Sequence, residues 1–66
     1  MNFDTLKVKK LMFDEKLNNK KLAELMGVSR QWLGVVLKRG YATFDYVNKL
    51  AKALDCEIEE IVKMEE

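Results

Sequence analysis

From Asn19 to Lys38 the chain reads NKKLAELMGVSRQWLGVVLK. Leu22, Ala23, Leu25 and Met26 follow a helical period that stops at Gly27, and Leu33, Val36 and Leu37 resume it after Ser29. The three residues Gly27, Val28 and Ser29 between the runs leave room only for a tight turn, so two short helices must cross at close range. Such a crossing needs a small side chain where the backbones approach, which Ala23 supplies. It needs a residue tolerant of positive φ at the turn, which Gly27 supplies. Val28, Leu33 and Val36 then pin the second helix to the core and leave its opposite face free.

Three more helices follow from the same reasoning. Residues 4 to 16 carry Val8, Leu11 and Met12 at i, i+3 and i+4, with Leu6 and Phe13 expected to widen the stripe. Asp4 at its start suits the helix dipole. Asn18 and Ser29 are N-caps for the central pair, and Gly40 can take the left-handed conformation that closes the second of them. Thr43 caps a helix of about 44 to 54, with Phe44, Val47, Leu50, Ala51 and Leu54 inward, and Asp55 ends it. A last helix of about 57 to 64 buries Ile58, Ile61 and Val62. No run alternates with period two for long enough to make a strand.

Size and composition exclude much else. Sixty-six residues make one small domain spanning 1 to 66, and a chain this short buries only about 60% of its unfolded surface. The 48% hydrophobic content still indicates a folded chain. Lone Cys56 excludes an internal disulfide and reads as a small core hydrophobe; without His it leaves no standard zinc site, so no metal or cofactor is expected. No apolar run approaches the ~20 residues of a membrane span. No signal peptide is visible, so the expected location is cytoplasmic, with no membrane partner.

The net charge of +1 conceals an asymmetry. Lys7 to Arg39 holds nine Lys/Arg against three Asp/Glu, a local +6. Asp45 to Glu66 holds three against seven, a local −4. The chain is basic where the helix pair sits, which suits a face presented to a polyanion. Glu57, Glu59, Glu60, Glu65 and Glu66 read as a solvated face turned away from it. The free face of the second helix begins at Ser29, Arg30 and Gln31 and continues at Gly34, Val35 and Lys38. Arg pairs with guanine and Gln with adenine by two hydrogen bonds each. Val35 is either exposed apolar surface or a partner for a thymine methyl. Gly34 costs a helix roughly 1 kcal/mol relative to Ala, which points to close approach by DNA backbone or another helix. Lys38 and Arg39 are phosphate ligands or a solvated helix end. Trp32 reads as partly buried core, or as an indole N–H reaching a phosphate. Met12 and Phe13 read as core, or, if exposed, as a partner surface.

At this point the chain resembles the Cro and phage-repressor (XRE-type) helix-turn-helix family. The resemblance runs from Val8 to Val62. It is carried by Leu22-Ala23-Glu24-Leu25-Met26-Gly27-Val28-Ser29-Arg30-Gln31 and, downstream, by Lys49-Leu50-Ala51-Lys52-Ala53-Leu54 and Cys56-Glu57-Ile58-Glu59-Glu60-Ile61. It implies an all-α, compact five-helix bundle of the lambda-repressor-like kind, with the helix-turn-helix at about 19 to 38. It also implies a sequence-specific reader of double-stranded operator DNA that works as a two-fold homodimer, at least on DNA. Ser29, Arg30 and Gln31 fall at the start of the recognition helix, with Gly34, Val35 and Lys38 at its later DNA-facing positions. Asn19 opens the preceding helix where the family commonly has Gln on a phosphate, and Lys20 adds charge beside it. The chain departs from the pattern at Gly40, one residue late, and in the short Tyr41-Ala42 segment that replaces a longer loop.

The expected function is that of a transcriptional regulator: a small phage or mobile-element repressor that occupies a palindromic operator, with α-helical contacts near Ile58, Val62 and Met64 as the candidate dimer interface. The alternative from another class is a protein-binding module, an antitoxin or antirepressor that keeps the scaffold. An enzyme is not expected, because there is no His and Cys56 has no activating partner.

Overall fold

In the computed structural model, which describes residues 1 to 63, five helices follow one another: α1 (Thr5–Asp14), α2 (Asn19–Met26), α3 (Arg30–Arg39), α4 (Phe44–Ala53) and α5 (Ile58–Ile61). The all-α helix-turn-helix architecture expected from the sequence is the one that forms.

Each helix starts where a side chain satisfies its orphan N–H groups. Asp4 accepts from Lys7 N at 3.1 Å, Asn18 from Lys21 N at 2.8 Å, Ser29 from Trp32 N and Thr43 from Tyr46 N, both at 3.2 Å. At α5 the Glu60 carboxylate accepts from the backbone N–H of Glu57 at 2.8 Å. Gly27 and Gly40 close α2 and α3 in the left-handed conformation, at φ 69° and 82°. Asp55 takes the same conformation just after α4, at φ 56°, as its place after the last periodic residue requires.

The core gathers Val8 and Met12 of α1, Leu22, Ala23 and Met26 of α2, Leu33, Val36 and Leu37 of α3, Val47, Leu50 and Ala51 of α4, and Ile61 of α5. α2 packs on α3 and α4, and α5 joins α4 to α1.

Several expectations are corrected. Leu6 (76% exposed) and Phe13 (83% exposed) do not widen the α1 stripe. At about 100° per residue they share one direction, roughly opposite Val8, and so point to water together. Phe44 is 55% exposed because it is the first residue of α4, a full turn ahead of Val47 and past the end of the core. Leu25 is also exposed. α1 ends at Asp14 rather than Glu15 or Lys16, since Lys16 turns the chain at φ 57°. α5 spans only Ile58–Ile61, because Val62 is extended; Ile58 and Val62 are half-buried against the core. Met64 lies outside the described residues.

A feature without helical period completes the core. Phe3 is 1% exposed. Its segment lies between two others: Phe3 N–H donates to Gly40 O at 2.9 Å and Ala42 N–H to Met1 O at 3.1 Å on one side. On the other side Asp4 N–H donates to Ile61 O at 2.7 Å and Lys63 N–H to Asn2 O at 3.0 Å. These contacts form isolated antiparallel bridges, Asn2 with Tyr41 and Phe3 with Val62.

Gly40 is held by this arrangement. A Cβ there would lie 3.2 Å from Thr5 Cγ2, on a backbone at φ 82°. Gly40→Ala is therefore expected to lower stability by about 1–2 kcal/mol from the left-handed strain alone. Gly34 is the opposite case: a Cβ there meets nothing within 4 Å. Gly34→Ala is expected to raise stability by about 1 kcal/mol through helix propensity. Thermal melts of the two variants should thus move in opposite directions.

Candidate nucleic-acid interface

The three buried residues of α3 define its outward direction. With Leu33, Val36 and Leu37 facing the core, a turn of about 100° per residue places Gln31, Val35 and Lys38 on the opposite side. All three are exposed, Val35 at 48%. Arg30 is exposed in the first turn. Ser29 is the N-cap; its Oγ uses acceptor capacity on Trp32 N–H and keeps its own O–H to donate. Of the expected site residues, Ser29, Arg30, Gln31, Val35 and Lys38 therefore stand together at the N-terminus of α3 and along its outer face, while Gly34 and Arg39 lie to either side of it.

The two flanks of that face differ. On one flank Gly34, Leu37 and Lys38 line an open groove shared with Phe13, Asn18 and Asn19 at the α1–α2 corner. Asn19 is the first residue of α2 and is exposed, as is Lys20 beside it. A Cβ at Gly34 would meet nothing within 4 Å, so of the two readings of that glycine, crowding by another helix among the described residues is removed.

On the other flank Trp32 and Arg39, two helical turns apart, lie on one side of α3. The Arg39 guanidinium carbon sits 4.9 Å from the Trp32 ring centroid and 4.4 Å from that of Tyr41. Its Nε donates to Tyr41 O at 2.9 Å. Trp32 is 46% exposed, so it is a half-covered ring under a cation rather than core. The i, i+7 spacing of Trp32 and Arg39 is visible in the sequence and signals this stack; the part played by Tyr41 is not, because it comes from the turn after Gly40. Burial raises the pKa of Tyr46 above its usual value and the nearby Arg39 charge works against that rise. The Tyr46 hydroxyl has no hydrogen-bond partner among the described residues.

The acidic residues gather elsewhere. Asp55, Glu57 and Glu60 line a shallow surface with Lys52 and Cys56 at the α4–α5 junction. Burial pushes the Cys56 thiol up, and the charge of Glu60 pushes it further. The thiol is thus held protonated and is a poor nucleophile. Among the described residues no helix is long and apolar enough to cross a membrane.

A helix pair crossing at Ala23, turned at Gly27, with a polar and cationic free face on its second member, is the helix-turn-helix of a DNA-binding protein. A family model, the Cro/C1-type HTH DNA-binding domain, matches residues 7–66, and the chain belongs to that family. It is a DNA-binding transcription regulator that acts on double-stranded DNA. Comparisons with curated proteins and with solved structures returned no match.

Proposed function

We propose that the protein reads a specific operator by laying α3 in the major groove, with Arg30 and Gln31 on base edges, Ser29 at the helix entrance, and Val35 and Lys38 further along. The observation that carries this reading is the outward row of Gln31, Val35 and Lys38, rigidly opposed to the buried row of Leu33, Val36 and Leu37. Asn19 and Lys20 supply backbone contacts at the start of α2, and Gly34 lets a strand come close. Arg39 adds charge at the helix end. Gly34→Ala is then expected to bind the duplex more weakly although it melts higher.

One α3 touches too few base pairs for high specificity. Two related by a dyad place their recognition helices one turn of DNA apart, about 34 Å. The operator is accordingly palindromic and the protein a homodimer on it, with Ile58 of α5 and Val62 just after it, which keep exposed surface, as the contact. A crosslink between two copies mapped to another face removes that assignment. Regulation is then by occupancy of the operator, as by a small repressor of phage or mobile-element type.

Selection from a pool of random-sequence duplexes at roughly 0.15 M salt tests the reading. Enrichment of a two-fold symmetric site with half-sites one turn apart is the expected result. An asymmetric short site removes the dimer. Salt-sensitive binding without enrichment removes specific reading.

A second reading has one observation in its favour: Leu6 and Phe13 form an exposed apolar row on α1. A protein partner there would make the chain an antitoxin or antirepressor. An Arg30→Ala/Gln31→Ala protein that loses DNA binding but keeps its cellular effect would establish it.

A further inference from the structure

The groove at the α1–α2 corner, about 690 Å³ in volume, has a lining that DNA reading does not use. Met12, Phe13, Leu17 and Leu37 make much of it apolar, and Lys9 and Lys38 add two ammonium groups. Among the described residues no carboxylate lines it. Lys9, Met12 and Phe13, at i, i+3 and i+4, reach it from one side of α1. Phe13 is 83% exposed, and Leu6, 76% exposed, continues the apolar line two turns back, about 11 Å along α1. Large apolar side chains exposed in line beside a groove mark a contact surface. A DNA strand meets a protein chiefly through phosphate oxygens and sugars and has little to gain from a phenyl ring.

Shape and charge select the occupant. A small molecule is held by burying most of its surface, which a groove open along one side does not do. The lining residues belong to α1, to α3 and to the Leu17–Asn19 corner, so among the described residues no strand edge borders the groove for main-chain pairing. What fits is an amphipathic helix laid in the groove, with apolar residues one turn apart on Phe13 and Leu17. Lysines without a carboxylate attract acidic side chains and repel basic ones. The first turn of α2, which opens at Asn19, carries partial positive charge with the same preference. Asn19, Gly34 and Lys38 belong both to the groove and to the face assigned to DNA. A helix seated on Phe13 therefore stands where a strand bordering α3 would pass.

We propose that this groove docks an acidic amphipathic helix of a partner protein, and that the partner and DNA exclude each other. The partner's carboxylates take Lys9, Lys38 and the start of α2, and its apolar residues cover Phe13. Its arrival releases the operator. The exclusion rests on the reading above, since it needs α3 in the major groove; in the antitoxin alternative no DNA is displaced.

The test starts from a library of helical peptides of about 18 residues, or five turns, randomised on one face and selected for binding to the protein. The expected consensus places apolar residues at i and i+3 or i+4 with Asp or Glu beside them. A labelled peptide of that consensus is then followed by fluorescence anisotropy. Phe13→Ser should weaken it at least about tenfold, as loss of a central aromatic anchor does, and leave the affinity for random-sequence duplex unchanged. Lys9→Glu should weaken the peptide about fivefold, whereas Lys49→Glu, the same charge change at an exposed position of α4, should not. Unlabelled duplex should displace the peptide from the wild-type protein.

A selection that yields no acidic consensus, or peptides that bind Phe13→Ser as well as wild type, overturns the groove as their site. Peptide and duplex bound together overturn the exclusion while the major-groove reading stands. A duplex that does not bind the protein at all overturns that reading instead, and the peptide titrations of Phe13→Ser still judge the groove. Wild-type protein that binds phosphatidylglycerol vesicles, with binding lost in Phe13→Ser, would give the apolar line to a lipid surface and overturn the partner helix.

Discussion

Phe3→Ala is expected to destabilise the fold by about 3–5 kcal/mol, the usual cost of emptying a fully buried aromatic site. A chain of this size has only about 3–10 kcal/mol in total, so the variant should melt at least ~12 °C lower or fail to fold at all. The cause is local. Phe3 fills the core between Gly40 and Ile61 with its ring 1% exposed, and its segment ties the end of α3 to the residues after α5. Phe13→Ala is the matched control, since that ring is 83% exposed and a change there should stay within about 0.5 kcal/mol. Equal melting of the two variants in a thermal scan would mean that Phe3 does not fill the core.

The second large effect falls on recognition. Arg30→Ala and Gln31→Ala should each reduce affinity for a selected operator by between about five- and 150-fold, the worth of 1–3 kcal/mol per bidentate base contact. Binding to random-sequence duplex should change far less, because it depends on phosphate contacts. Neither side chain is buried, so melting should be unaffected. Gel-shift titrations with the operator and with random duplex separate the two terms. Equal losses on both DNAs would reassign these residues to the backbone.

These expectations draw on features of unequal legibility. The helix starts were readable at Asn18, Ser29 and Thr43, because a cap bonds to an N–H three residues on and the whole interaction is local. The turn at Gly27 and the inward row of α3 were readable for the same reason. Leu6, Phe13 and Phe44 were misplaced because an apolar residue shows that a helix has surface to spare, not which way the surface faces. Leu6 and Phe13 are out of phase with Val8 and Met12, and phase was the stronger signal. Phe3 was beyond reach: three residues carry no period, and its partners at Gly40, Ile61 and Val62 are distant in the chain.

The candidate site divides in the same way. Ser29, Arg30, Gln31, Val35 and Lys38 share one helix, so their grouping follows from helical period alone. The grip on Arg39 joins α3 to the turn behind Gly40, and the groove on the other flank joins α3 to Lys9 and Phe13 of α1. Both depend on how elements far apart in sequence meet, which no local pattern encodes.

The most direct measurement is a titration of isotopically labelled protein with a duplex carrying the selected operator, followed by the backbone amide and arginine side-chain signals of its NMR spectrum. The largest shifts should cluster at Asn19, Lys20 and residues 29 to 39, with the Arg39 side chain among them, while Asp55, Glu57 and Glu60 stay still. Shifts centred on the acidic α4–α5 junction or on the Leu6–Phe13 row, with α3 unmoved, would contradict DNA reading by α3.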